Sequence, residues 1–94
     1  MDSTRRPLVL ALVGRINPAD IPLLCARLHA EADAERGDGP DEVVCDAARL
    51  TVADLAAVEA VARLRLTARR LGRNLTLQNA GPDLLTLLHL AGLT

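Results

Sequence analysis

The chain has 94 residues, enough for one domain with one core. Half of them are apolar, yet Phe, Tyr and Trp are absent, so the core is built from Leu, Val, Ile and Ala, which need many interlocking contacts. A net charge of −1 gives no general attraction to nucleic acid or anionic membrane, and a surface without aromatics lacks the stacking platforms of single-strand binders.

Met1 to Arg6 is polar and expected to fray. Leu8 to Val13 is a continuous apolar run stopped by Gly14, which predicts a strand covered on both faces if the sheet is central. Asn17-Pro18-Ala19-Asp20 reads as a helix start, with Asn17 as N-cap and Pro18 at the first helical position. Ile21, Leu24, Cys25, Leu28 and Ala32 form one apolar stripe, and the helix is expected to fade near Arg36 before the loop signal Gly37-Asp38-Gly39-Pro40.

Glu42 to Asp46 predicts a second strand, with Ala47 to Leu50 as a connection. Thr51 is a candidate cap for a helical pattern from Val52 to Leu71, whose stripe is Val58, Val61, Leu64, Ala68 and Leu71 and whose C-cap is Gly72. Leu66 falls off that stripe. Asn74 to Gln78 alternates and predicts a third strand. Ala80-Gly81-Pro82-Asp83 then opens a last helix, Leu84 to Ala91, closed by Gly92, with Leu84, Leu87, Leu88 and Ala91 available to the core. The order β-α-β-α-β-α predicts a small single α/β domain with a mostly parallel sheet.

Candidate chemistry is sparse. Asp46 and Asp54 bracket the loop between the second strand and the second helix, where a strand end meets a helix N-terminus. A catalytic carboxylate pair needs a defined separation and usually a third group; none is evident, so Asp46 reads as a strand-end turn acid and Asp54 as a first-turn acid. His29 and His89 are single and far apart in sequence, and Cys25 and Cys45 sit inside apolar runs as structural thiols. Gly37 and Gly39 precede a strand rather than follow one, so no phosphate-binding loop is present to support a nucleotide or small-ligand sensor. No metal or cofactor is expected. Neither a signal peptide nor a long apolar span is seen, so the expectation is a cytoplasmic domain that does not insert into a membrane. Charge is segregated: residues 17–46 hold eight acids and two Arg, residues 47–79 six Arg and two acids. That polarity suits two solvated faces of opposite sign, or a surface that steers a protein partner or favours a homodimer.

The segment Asp46-Ala-Ala-Arg-Leu-Thr-Val-Ala-Asp54-Leu-Ala-Ala-Val58 resembles, without a gap, the central signature of STAS domains, the family of bacterial anti-sigma factor antagonists: Asp-Leu-Ser-Gly-apolar-Thr-apolar-apolar-Asp-Ser-Ser-Gly-Leu. Val13 to Ala19 is similar to their Gly-Glu-Leu-Asp turn. Leu71 to Asn79 resembles their Gly-x-x-Leu-x-Leu-x-Asn strand, and Leu85 to Leu93 their closing Leu-x-x-x-Gly-Leu helix. The resemblance runs from about residue 8 to the C-terminus.

The resemblance implies a non-catalytic protein-interaction domain whose contact surface is the loop and helix start at residues 48–58. In the family, a Ser or Thr just after the second Asp is phosphorylated by an anti-sigma kinase, and the added charge breaks the complex. Leu55 and Ala56 stand at those two positions here, so no phosphorylation switch is expected. Asp46, Arg49, Thr51, Asp54, Leu55, Ala56 and Val58 are the candidate contact residues, Leu55 foremost. The implied partner is an anti-sigma-type kinase or a larger assembly. The rival implication is an accessory subunit docked on the ATPase of an ABC-type transporter.

Overall fold

The computed structural model describes residues 7–34 and 42–93. The expected N-terminal fraying, the fading of the first helix near Arg36 and the Gly37–Pro40 loop lie outside those residues. Six elements follow in order: β1 (Leu8–Gly14), α1 (Asp20–Ala34), β2 (Glu42–Leu50), α2 (Leu55–Arg70), β3 (Asn74–Gln78) and α3 (Pro82–Leu90). The strands form one sheet in the order β1-β2-β3, parallel throughout. This is the expected fold class.

Topology decides which face is covered. Parallel crossovers are right-handed, and two of them stepping the same way across the sheet put their helices on the same side. Accordingly α1 packs on β1 and α2, and α2 packs on β3, α1 and α3. Leu8, Leu10, Leu12, Val43 and Cys45 point into this helical layer. Among the described residues no helix packs on the other side of the sheet, although Val44 of the middle strand is buried there, and this corrects the expectation for β1. That strand lies at an edge and alternates between buried and exposed residues, leaving Val9 and Val13 in solvent.

Small residues let the central helix approach closely: Ala57, Ala60 and Ala68 are fully buried beside Val61 and Leu64. The α2 stripe is as expected, and Leu66 is exposed. At the far end Gly72 (φ +74°) takes the left-handed conformation. Its N–H reaches the Arg69 carbonyl and the Arg73 N–H reaches that of Ala68, two bonds that close the helix with Gly72 just beyond its Leu71 cap. Arg69 and Arg70 occupy the last turn, where the dipole favours cations.

Two helix boundaries differ from the expected ones for local reasons. The first helix begins at Asp20 rather than at Pro18, because residues 17–20 form a separate turn. There the Asp20 N–H bonds to the Asn17 carbonyl at 2.8 Å, and the Asp20 carboxylate accepts the Asn17 N–H at 3.0 Å. In α3, Leu84 and Leu88 are buried and Leu87 partly so, but Ala91 is the C-cap and exposed, not core.

Two long-range bonds tie the layer together. An Arg73 guanidinium nitrogen donates to the Ala32 carbonyl at 3.3 Å, and Arg65 donates to the Leu93 carbonyl. No helix among the described residues is long and apolar enough to cross a membrane.

Candidate functional site at the β2–α2 junction

The site begins at Asp46. Its Oδ1 accepts the Ala48 N–H at 2.9 Å and the Asn79 side-chain amide at 3.0 Å. The first bond turns the chain locally, and the second ties the middle of β2 to the residue just past β3. The Asn79 amide, and after it the Ala48 N–H, hold the Asp46 carboxyl below the usual carboxylate range, with Arg49 adding to the effect and desolvation opposing it.

The turn at Asp46 makes an irregularity in β2 and not a strand end, which corrects the expected connection at Ala47 to Leu50. Pairing to β1 resumes after it, Arg49 beside Val13 and Leu50 beside Gly14. Thr51 is held to the sheet as well, its N–H bonded to the Gly14 carbonyl at 3.0 Å.

Thr51 therefore does not cap the helix. Asp54 does: its backbone is extended (φ −133°, ψ −173°) and its Oδ1 accepts the Ala57 N–H at 3.1 Å. The helix starts at Leu55, three residues later than the pattern at Val52 suggested. Replacing Asp54 with Ala should cost about 1 kcal/mol, and Thr51→Ala less than about 0.5 kcal/mol. Urea denaturation of the two variants measures the difference.

Of the predicted contact residues, Arg49, Thr51 and Leu55 are exposed, and Asp46, Asp54 and Ala56 are half-buried. Leu55 stands out at 77% exposure on the first turn of α2, so it does not pack beneath the loop. Val58 is 7% exposed and belongs to the core, which removes it from the surface. Sequence reasoning missed Asn79, whose positive φ of 60° marks a conformation that Asn tolerates better than most residues.

The chemistry of this surface is that of binding. Both carboxylates are committed to N–H groups, and the Asp54 carboxylate occupies the helix end where an anion would otherwise bind. Elsewhere, Cys25, His29 and Asp33 recur at i, i+4 and i+8 of α1. They line an open cleft of about 700 Å³ with Arg63, Thr67 and Arg70 of α2. His29 Nδ1 lies 3.6 Å from Asp33 there, but among the described residues no group of three His, Cys, Asp or Glu is placed to hold a metal ion.

A three-stranded parallel sheet with one helical layer, and a capped helix start rising from the end of its middle strand, is the architecture expected of a STAS domain. Over residues 1–94 the chain matches the family model described as "Mlab, STAS domain", and it belongs to that family. No curated protein matches it. STAS domains are in general interaction and regulatory modules rather than catalysts.

Proposed function

We propose that this chain is a non-catalytic STAS interaction module that binds a regulatory protein constitutively through Arg49 to Ala56. The carrying observation is Leu55, a large apolar side chain held 77% exposed at the position where the family places a phosphorylatable Ser. An apolar anchor on the first turn of a helix, preceded in the chain by the exposed polar residues Arg49 and Thr51, has the make-up of an interface hot spot. Neither Leu55 nor Ala56 carries a hydroxyl, so the phosphate that releases the family's partners has no acceptor at those two positions.

A permanent complex suits an anti-sigma-type kinase that is held rather than released. It suits equally the fixed accessory subunit of an ABC-type transporter ATPase. Titration calorimetry of the purified chain against purified kinases and transporter ATPases from the same genome separates these partners. Leu55→Arg should weaken binding by about thirtyfold or more, the loss of one hot-spot residue. Its melting temperature should stay at the wild-type value, because the side chain touches little of its own domain. Binding that survives the substitution places the contact elsewhere. Failure of both partner classes to bind overturns the reading.

A further inference from the structure

Strand β1 is an edge whose outer side is unpaired among the described residues. Natural edges are usually blunted by charge, proline, bulges or brevity. The other edge, β3, is five residues long and turns Asn74, Thr76 and Gln78 to solvent. Residues 8–13 of β1 are all apolar and contain no proline. They alternate regularly, and the irregularity in the β1–β2 pair falls in β2. On the face without helices Val9 and Val13 are 51% and 58% exposed, with Ala11 exposed between them.

The run Val9-Leu10-Ala11-Leu12-Val13 reads the same in both directions. A two-fold axis normal to the sheet at Ala11 therefore pairs two β1 strands antiparallel with every side chain facing its equal in size and face. Val9 meets Val13 of the second copy, Leu10 meets Leu12, and Ala11 meets Ala11.

Charge follows the same symmetry. Asp20, Leu23, Leu24 and Arg27 of α1 line a groove of about 360 Å³ with Ala11 and Val13, and Leu23 is 69% exposed. The axis that reverses β1 reverses α1 too. It turns Asp20 of one copy toward Arg27 of the other, with the two leucines midway. Arg27 already pairs with Glu31 of its own helix at 2.9 Å on an exposed surface, where such pairs exchange readily.

We propose that β1 pairs with β1 of a second copy about this axis, joining two three-stranded sheets into one of six. The interface does not use Leu55, so a homodimer and the partner complex of the preceding section are separable.

Sedimentation velocity of the full chain across the micromolar range tests it. The wild type should reach twice the 10.0 kDa of the monomer. Both valines are exposed, so charges are tolerated there in the folded chain. Val9→Lys combined with Val13→Lys places like charges in both cross-strand pairs and should weaken the dimer about tenfold or more. Val9→Glu combined with Val13→Lys places opposite charges in register, and its dimer should be restored to within about threefold of wild type. Leu55→Arg should dimerise normally. A monomeric wild type, equal weakening by the two double variants, or loss of the dimer in Leu55→Arg overturns the proposal.

Discussion

Leu64→Ala should remove about 3–4 kcal/mol of stability, lowering the melting temperature by about 15–25 °C. Leu64 is fully buried on α2, the helix that touches α1, α3 and β3, so a void there weakens several packing contacts together. Two features set the size of the effect. Transfer of the three lost carbons supplies about 2 kcal/mol, and the cavity left behind adds the rest. The residues that flank Leu64 on the same face of α2, Ala57, Ala60, Val61 and Ala68, are short and stiff, with no aromatic ring or long Met side chain to swing into the gap. A domain of this length has about 5–14 kcal/mol in all, so roughly a fifth or more of it is at stake. Leu66→Ala, two residues on and 42% exposed, should cost less than about 1 kcal/mol. Thermal and urea denaturation of the pair measure the contrast, and equal losses would show that α2 does not pack on the face described.

The same helix shows how much of the fold local pattern carries. Its stripe of Val58, Val61, Leu64 and Ala68 was legible because the 3.6-residue period is intrinsic to a helix with one buried side. Strand β3 was legible to the residue, since Leu75 and Leu77 alternate with polar neighbours. The helix start was not, because Thr51 and Asp54 are both favoured N-cap types. The choice was made by the bond from Thr51 to Gly14, a contact 37 positions away in sequence. The end of β2 was hidden for the same kind of reason: Ala47-Ala48-Arg49-Leu50 has little strand propensity, and pairing with Val13 and Gly14 overrides it.

The sheet face without helices is a different case. An all-apolar strand reads as covered on both sides, and only strand order reveals that every helix falls on one of them. Val9 and Val13 are therefore residues whose composition asks for burial and which the helices, all on the other face, leave half-exposed. At the candidate site Asp46 was legible as a turn acid but lies inside β2 rather than at its end. Asp54 stands at the N-cap rather than in the first turn where the sequence put it. Leu55 could be located in sequence by its departure from a motif, but whether it pointed out or in was decided by the late helix start.

Between pH 9 and about pH 11 the protein should lose about 2–3 kcal/mol of stability through one thiol, Cys45. Burial in the core, and after it the neighbouring Asp46 charge, push this thiol from its ordinary 9.0 to about 11, with Arg65 pulling slightly the other way. Below pH 9 the group is neutral whether the chain is folded or not, and it contributes nothing. As pH rises through 9 the unfolded chain releases the proton and the folded chain keeps it, so unfolding gains. Above about 11 both states are ionised and the loss stops growing. The sequence isolates this effect unusually well: it has no Lys and no Tyr, and Arg keeps its charge throughout the range. Cys25 is the other thiol, and Cys25→Ala removes it. Urea midpoints of Cys25→Ala should fall steadily from pH 9 to about 11, whereas those of the Cys25→Ala and Cys45→Ala combination should change little. An equal fall in both would locate the alkaline sensitivity outside the core thiol, and would mean that the strand carrying Asp46 is not sealed beneath the helices.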